Sequence, residues 1–326
     1  MKRRICALGL ILPLIAQAGP ESAIRDFGSS QIKKGVRSIG MGGDGATWGN
    51  YSLVYRDAGT QIVDYGSSYF KDNGNQFNFS AVGFTTPKFW ENAALYVVAM
   101  SQTASSIATW SANSPSSSKP PSTGNGSNQA LFVKFAKPVS ETVSVGVLLS
   151  YEQSQMALDP LNGTHSIDYS TSWMPSGGAG VSYQPESWLL VGARVILNND
   201  WETRVDGTGT TQGLLRSNEY RAGVSVTPWS GGLLDAGVSV LDRSSAVDGT
   251  ASVTAFPTYG FEQELIEKKY WLRMGLDETS FTAGGSLKLE KLKLDLAYLN
   301  NIAAARLGGI FGNQSDSFIL TLTFNN

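Results

Sequence analysis

Few residues of the chain have the types and spacing that catalysis requires. His165 is the only histidine among the 326 residues, and Cys6 is the only cysteine. A hydrolytic dyad needs a nucleophile held against a histidine, and a zinc site needs more ligands than one histidine supplies without cysteine. The stretch Asp72-Asn73-Gly74-Asn75 lacks the remaining ligands of a calcium loop and is typical of a turn. The sequence therefore predicts no enzyme, no metal site and no cofactor.

The segment Gly40-Met41-Gly42-Gly43-Asp44-Gly45 satisfies the G-x-G-x-x-G pattern of dinucleotide-binding proteins. Such a site needs a strand before the glycines and a helix after them, because the helix N-terminus holds the phosphates. The Thr47-Trp48-Gly49-Asn50 stretch that follows does not begin a helix. We interpret these glycines as flexible backbone that allows a close approach to neighbouring chain.

The amino terminus has the three parts of a secretory signal peptide. Lys2-Arg3-Arg4 is a charged region, Ile5–Ile15 is a short apolar region, and Ala16-Gln17-Ala18 is a cleavage site. The apolar region is shorter than the ~18 residues of a membrane-spanning helix. We therefore predict that residues 1–18 are removed on export and that the mature chain has no thiol.

The charge balance of the remaining chain argues against a nucleic-acid partner. Residues 19–326 hold 22 basic and 27 acidic residues, which gives a formal charge of −5. Phosphate neutralisation needs a surplus of basic residues instead. A content of 41% hydrophobic residues and 16% charged residues also argues against a disordered chain.

Apolar residues recur with the period of two that is typical of β-strands. Val143, Val145, Val147, Leu149 and Tyr151, for example, alternate with small or polar residues. Successive strand side chains face opposite ways, so each such strand has one apolar face. The pattern predicts fourteen strands, at 62–70, 76–86, 91–103, 129–137, 142–151, 177–184, 188–198, 218–228, 232–242, 257–266, 268–277, 280–289, 291–300 and 316–325.

The connections between these strands alternate in length. Short turns fall at 87–90, 138–141, 185–187, 229–231, near 267 and at 290, and the long connections (104–128, 152–176, 199–217, 243–256 and 301–315) all belong to the other set. Outer-membrane barrels have this arrangement, with short periplasmic turns and long external loops. The fold class predicted for residues 62–326 is an all-β, antiparallel transmembrane barrel of about fourteen strands.

Aromatic and charged residues fit a barrel as well. Tyr151, Tyr220, Tyr298 and Phe318 are expected at the long-loop end of the apolar faces, and Tyr183, Tyr270 and Phe324 at the short-turn end, as two interfacial rings. The opposite faces carry charges of both signs, which we expect to line the lumen. These lumen-facing charges are Arg194, Glu219, Arg221, Asp235, Arg273, Lys288, Lys293 and Asp295.

Residues 19–61 do not alternate, and they are too numerous for a simple lead-in to the first strand. A barrel of about fourteen strands has a lumen that its own side chains cannot fill. The segment is therefore predicted to be an N-terminal hatch that plugs the lumen.

The stretch Val36-Arg37-Ser38-Ile39-Gly40-Met41-Gly42-Gly43, with the later Tyr55 and Ala58-Gly59, resembles the amino-terminal signature of FadL-type outer-membrane transporters and their PorV-like relatives. Arg56 and Asp57 stand where that family has Asn-Pro. The resemblance implies a hatch inside a fourteen-stranded barrel. Its candidate hatch residues are Ile39, Gly40, Met41, Gly42, Gly43, Tyr55, Arg56, Asp57, Ala58 and Gly59.

The FadL-type resemblance implies uptake of small hydrophobic molecules, such as fatty acids or hydrocarbons, across the bacterial outer membrane. The expected partners are outer-membrane lipid and a small hydrophobic ligand. A PorV-like structural or secretion-associated barrel that binds secretion-complex proteins is the first alternative. A soluble, secreted β-sandwich that acts as a binding module is the second alternative.

Overall fold

Fifteen antiparallel strands form one sheet in the described part of the computed structural model. The structure describes residues 37, 40, 41, 47, 50, 52, 53, 60–70, 75–109, 122–160, 167–247, 249–277, 280–301 and 316–325. In these residues, no helix is long and apolar enough to cross a membrane. The strands are β1 Thr60–Phe70, β2 Asn75–Trp90, β3 Ala93–Thr109, β4 Ser122–Pro138, β5 Val143–Pro160, β6 Ile167–Thr171, β7 Met174–Glu186, β8 Leu189–Asp206, β9 Gly209–Trp229, β10 Gly232–Ser245, β11 Thr250–Ile266, β12 Tyr270–Asp277, β13 Ser280–Lys288, β14 Leu292–Asn301 and β15 Asp316–Asn325.

The sheet closes on itself because the first and last strands pair. The β1–β15 ladder runs from Thr60 opposite Asn325 to Tyr69 opposite Asp316, and β1 also pairs with β2. Every strand therefore has a neighbour on both sides. The prediction of an antiparallel barrel is confirmed, and the soluble β-sandwich is wrong because a sandwich has two separate sheets.

Strands β6 and β7 occupy a single position in the ring, so fifteen strands make fourteen positions. Both lie between β5 and β8, with β6 paired to the halves far from the short turns and β7 to the halves near them. The break falls at Ser172 and Trp173. Across it, the Ser172 backbone N–H donates to the Trp201 carbonyl (3.1 Å), and the Ser154 N–H donates to the Thr171 hydroxyl (2.9 Å).

Most of the long connections predicted from the sequence are strand extensions. Strands β5 and β8 have 18 residues each and β9 has 21, so the predicted loops at 152–176 and 199–217 are largely ladder. Gln153 and Gln155 face outward in the β5 extension, where apolar residues stand lower in the strand. The period-two signal ends there because the outer face no longer meets hydrocarbon.

The burial pattern is the reverse of that in a soluble protein. Outward-facing Val147 and Leu149 in β5 are 46% and 63% exposed, whereas Ser144 and Ser150 on the opposite face are buried. The same reversal holds in β14, where Leu296 is exposed and Asp295 is buried. A continuous exposed apolar surface needs an apolar environment, and a bilayer provides it.

Exposed aromatic residues form two belts on this outer surface. The belt at the short-turn end contains Trp90, Trp188, Trp229, Tyr183, Tyr270 and Phe324. The belt nearer the long-loop end contains Tyr151, Trp201 and Phe318. Trp173 stacks on Tyr151, with ring centroids 4.8 Å apart. The ten residues from Trp173 to Tyr183 span about 23 Å at a strand tilt near 45°, which matches the lipid band of an outer-membrane barrel.

Some boundaries differ from those predicted. Tyr220 does not lie at the long-loop end of its strand, because β9 continues eleven residues beyond it to Gly209. The turn predicted at 87–90 lies at Glu91 and Asn92, which both have positive φ (42° and 66°) in a two-residue hairpin. At the β8–β9 turn, which lies at the end of the barrel opposite the short turns, the hydroxyl and N–H of Thr208 donate to Asp206 and lower the pKa of its carboxyl.

The lipid-facing assignment predicts that a charge at mid-band blocks folding. Val147 faces outward near the middle of the band, so Val147→Arg should cost about 2–4 kcal/mol of barrel stability. Val139→Arg is the matched control, because Val139 is exposed in the short turn before β5. The measurement is the fraction of chain that shows heat-modifiable mobility after refolding into vesicles. Equal folded fractions for the two variants would contradict the assignment.

Candidate functional site

The described residues of the N-terminal segment that precede β1 lie against the lumen face of the barrel wall. Met41, Thr47, Asn50, Ser52 and Leu53 are all buried, and several of them contact residues on the lumen face of the wall. We call Arg37, Gly40, Met41, Thr47, Asn50, Ser52 and Leu53 the inner segment. Three kinds of contact hold it: an ion-pair network, neutral and charge-assisted hydrogen bonds, and close backbone packing on wall glycines.

The ion-pair network joins Arg37 to the wall through Glu262 of β11. Arg37 Nε lies 3.0 Å from Glu262 Oε2, and its Nη2 lies 2.5 Å from Oε1, a bidentate geometry. Arg273 of β12 contacts the same carboxylate, with Nε 2.5 Å from Oε2. One buried wall carboxylate thus binds two guanidinium groups, one from the wall and one from the inner segment.

The network continues along the wall to β13 and β14. Arg273 Nη1 lies 2.6 Å from the Ser286 hydroxyl and 3.3 Å from Asp295 Oδ1. The Ser286 hydroxyl also donates to Asp295, and Lys293 Nζ lies 2.9 Å from Asp295 Oδ2. Because Arg273 has these further partners, the wall part of the network is held independently of the inner segment.

Thr47 forms the second anchor, on β9 and β10. Its hydroxyl donates to Asp235 Oδ1 (2.7 Å) and lies 2.8 Å from the Ser225 hydroxyl. Ser225 and Asp235 are opposite each other in the β9–β10 register, and Ser225 also donates to Asp235. All three side chains are buried, so this anchor is shielded from water.

Asn50 forms the third anchor, on β7 and β8. Its side-chain amide donates to the backbone carbonyls of Val181 and Ala193, each at 3.0 Å, and these two residues are register partners. The Asn50 side-chain oxygen accepts from both the N–H and the hydroxyl of Ser52. One amide thus bridges two wall strands and orders the turn of the inner segment that follows it.

Wall glycines let the inner segment approach the sheet closely. A Cβ on Gly260 would lie 2.5 Å from the Met41 carbonyl oxygen, and one on Gly284 would lie 3.2 Å from Gly40 Cα. At the third anchor, a Cβ on Gly180 would lie 2.0 Å from Asn50 Oδ1. The Thr282 hydroxyl donates to the Gly40 carbonyl (3.2 Å) beside this packing. Glycine within a strand interior commonly marks such an approach.

A second cluster of charges lies on the lumen face of β8 and β9. Arg194 Nη2 and Arg221 Nε both contact Glu219 Oε1, at 2.6 Å and 2.5 Å. Arg194 and Arg221 are opposite each other in the ladder, so Glu219 offsets the repulsion between two adjacent guanidinium groups. This cluster has a net positive charge and is buried.

The eight charges predicted to face the lumen are thereby placed. Arg194, Glu219, Arg221, Asp235, Arg273 and Asp295 are buried in the three networks above, and Lys293 is half-buried at the edge of the Arg273 network. Lys288 lies exposed at the short-turn end of β13, where it is opposite Lys293.

Of the ten candidate hatch residues, the structure places Gly40 and Met41, which pack on Gly284 and Gly260. Ile39, Gly42, Gly43, Tyr55, Arg56, Asp57, Ala58 and Gly59 lie outside the described residues, as does His165. In the described residues, no three His, Cys, Asp or Glu side chains are arranged to hold a metal ion.

Sequence reasoning missed Thr47, Asn50 and Glu262 as wall contacts. Their roles depend on which residues meet across the lumen, and nothing in the local pattern signals that. The wall glycines did carry a signal, because Gly180, Gly260 and Gly284 stand at lumen-facing positions of otherwise regular strands.

Comparison of the sequence with protein-family profiles and with curated proteins gives no match. Solved structures do match over nearly the whole chain. A deletion mutant of the TodX monoaromatic hydrocarbon channel aligns with TM-score 0.55 at 12% identity, over 90% of this chain and 99% of that chain.

Two further structures give similar values. A FadL homologue from Pseudomonas aeruginosa aligns with TM-score 0.54 at 12% identity, over 90% of this chain and 98% of its own. The toluene transporter TodX from Pseudomonas putida aligns with TM-score 0.53 at 11% identity, over 89% and 96%. The chain therefore has the fold of the FadL-type outer-membrane barrels.

The glycine contacts predict that a single methyl group loosens the inner segment. Gly260→Ala places a Cβ against the Met41 backbone, which should cost about 1–3 kcal/mol as overpacking. Gly285→Ala is the matched control, because the nearest atom to its Cβ is 3.5 Å away. The measurement is the rate of trypsin cleavage after Arg37 in the folded barrel. Cleavage should be faster in Gly260→Ala alone, and equal rates in both variants would refute the contact.

Proposed function

We propose that the chain is an integral outer-membrane protein that takes up small hydrophobic molecules through a lumen occupied by its N-terminal segment. Residues 1–18 would serve as the cleaved export signal, and residues 19–61 as the hatch. The lipid-facing belt of the barrel supports the location. Two structural neighbours, a monoaromatic hydrocarbon channel and a toluene transporter, support small hydrophobic molecules as the solute class.

The observation that carries the proposal is an apolar surface on the lumen side. Val98, Phe132 and Leu148 are fully buried on β3, β4 and β5, and they belong to one cluster of buried apolar residues. The other members of this cluster are Ala81, Tyr96, Met100, Ala130, Ile196, Ala297 and Leu299. A water-filled pore has a polar lumen, whereas an apolar lumen surface favours apolar solutes.

The anchors of the inner segment suit a hatch that moves. They are polar contacts, whose net strength is modest because water replaces them when they open. Arg37 is the most accessible anchor, with a third of its side chain exposed. When Arg37 leaves, Glu262 keeps its contact with Arg273, so release does not strand an unpaired carboxylate in the wall.

We envisage uptake in three steps. A hydrophobic solute first displaces the inner segment from its anchors, then packs on the apolar cluster of the lumen wall, and leaves as the segment returns. Binding energy gained by burying the solute must offset the loss of the polar contacts. Small apolar solutes bury enough surface to do so, at about 25 cal/mol per Å².

The test is uptake by vesicles whose outer leaflet is lipopolysaccharide, because that leaflet is a barrier to hydrophobic solutes. Purified full-length protein should raise the rate of toluene uptake at least several-fold over protein-free vesicles, and it should not raise sucrose uptake. Unchanged toluene uptake, together with co-purification of secretion-complex proteins, would instead support the PorV-like, secretion-associated alternative.

The hatch role predicts a conductance change when Arg37 is removed. Arg37→Ala eliminates a charge-assisted, bidentate anchor worth about 1–2 kcal/mol and leaves the Glu262–Arg273 pair in place. Single-channel recordings in planar bilayers should therefore show more frequent openings than the wild type.

Lys137→Ala is the matched control for this substitution. It removes the Lys137–Glu91 ion pair (3.0 Å), which is exposed at the short-turn end. Its recordings should match those of the wild type. If Arg37→Ala also behaves as the wild type, Arg37 is not an anchor that limits opening.

A further inference from the structure

Three neutral polar side chains form a row on the lumen wall above the apolar cluster. Gln102 of β3 is opposite Asn128 of β4, which is opposite Ser154 of β5. Their exposed fractions are 0%, 0% and 3%. We call these three residues the polar row.

The polar row lacks hydrogen-bond partners for its side chains. Both polar atoms of Gln102, both polar atoms of Asn128 and the Ser154 hydroxyl have none anywhere in the described ranges of the chain. Buried amides are nearly always hydrogen-bonded in native proteins, because an unsatisfied group keeps its full desolvation penalty. Because the three residues are adjacent in one register row, the head group of a single ligand can reach all of their unsatisfied groups.

The wall below Gln102 and Asn128 is apolar. Two residues along each strand toward the short turns, Met100 lies opposite Ala130. Four residues along, Val98 lies opposite Phe132. All four side chains are buried in the lumen cluster. We call them the apolar wall. A ligand that fits both surfaces has an apolar body and a hydrogen-bonding head.

The charges nearby select against an anionic head. Glu152 lies opposite Ala130, two residues from Ser154 along β5 toward the short turns, and its side chain is buried. The nearest cation on the same strand as Asn128 is Lys134, which lies six residues away, about 20 Å along the strand, over the Tyr96 ring. A carboxylate at the polar row would thus lie close to the Glu152 carboxylate and about 20 Å along β4 from the nearest cation of that strand.

We propose that the polar row and the apolar wall bind an uncharged, hydroxyl-bearing hydrophobic molecule. Its hydroxyl donates to an amide oxygen of Gln102 or Asn128 and accepts from an amide N–H, so one head satisfies groups of both kinds. Its body packs on the apolar wall. This inference rests on the proposed uptake function and names the solute class that the same lumen selects.

The test compares three probes that share a methylphenyl body and differ in the head: p-cresol, toluene and p-toluate. Affinities are measured by titration calorimetry on the full chain in nanodiscs, with empty nanodiscs as the blank. The wild type should bind p-cresol at least about tenfold more tightly than p-toluate, because a buried site with neutral amides and a nearby carboxylate disfavours an anion.

Asn128→Leu should weaken p-cresol binding about tenfold and leave toluene binding within about twofold, because it removes hydrogen bonds but not apolar surface. Gln129→Leu is the matched control. It likewise replaces a side-chain amide with leucine, on the outward face of the same strand, and should alter neither affinity.

Thermal stability without ligand separates ligand binding from a structural role. Removing an unsatisfied buried amide should leave the unfolding temperature of Asn128→Leu unchanged or raise it, whereas loss of a structural hydrogen bond would lower it. If Asn128→Leu does not fold, Asn128→Ser provides the same affinity comparison with a smaller side chain.

Equal p-cresol affinity in the wild type and the Asn128 variant would overturn the proposal, and it would mean that ordered water alone satisfies the row. This failure is distinct from failure of the uptake function. Vesicles that take up toluene despite equal affinities would retain the transport role and lose only the hydroxyl preference. Tight p-cresol binding without uptake of toluene would retain the hydroxyl preference and contradict the transport role.

Discussion

Pairing of every backbone N–H and C=O within the sheet is the constraint on which the rest of this structure depends. Hydrocarbon offers no hydrogen bonds, so a strand that spans a membrane must have a partner on each side. The β1–β15 ladder meets this demand by joining the first strand to the last. At the β6–β7 break, bonds from Ser172 and Ser154 bridge part of the interruption.

Closure at fourteen positions creates the lumen and the problem of filling it. A ring of this size is too wide for its own side chains to meet at the centre. Part of the space is taken by ion-pair networks on the wall and part by the inner segment. The same ring fixes which residues face inward, so the anchors at Glu262, Asp235 and the Val181–Ala193 pair follow from the register of the strands.

The sequence predicted the features that depend on local periodicity. Alternation in β5 and β14 placed Leu149 and Leu296 outward and Asp295 inward, and the parity of the connections indicated a barrel with fourteen positions. The sequence pattern underestimated the length of the strands beyond the lipid band. Outward-facing residues such as Gln153 and Gln155 face water there, so apolar and polar residues no longer alternate.

The contacts across the lumen were not predictable in the same way. The family resemblance drew attention to Gly40 and Met41 but not to Thr47 or Asn50, and the partner of Arg37 lies 225 residues away. Such pairs depend on how the ring closes and on the angle at which the segment meets the wall. Only the isolated glycines within strands, such as Gly260, indicated where the backbone of the inner segment approaches the wall.

The central claim, that the N-terminal segment lies in the lumen and controls passage, can be tested by a reversible cross-link. Cys6 is the only cysteine, so a Cys6→Ser background with Thr47→Cys and Ser225→Cys reports one pair, whose hydroxyls are 2.8 Å apart in the native chain. Thr47→Cys with Ser239→Cys is the control, since Ser239 lies four residues beyond Asp235 on the same wall. The account predicts that oxidation in membranes links only the first pair, that toluene uptake falls, and that reduction restores it. No cross-link, or a cross-link that leaves uptake unchanged, would contradict it.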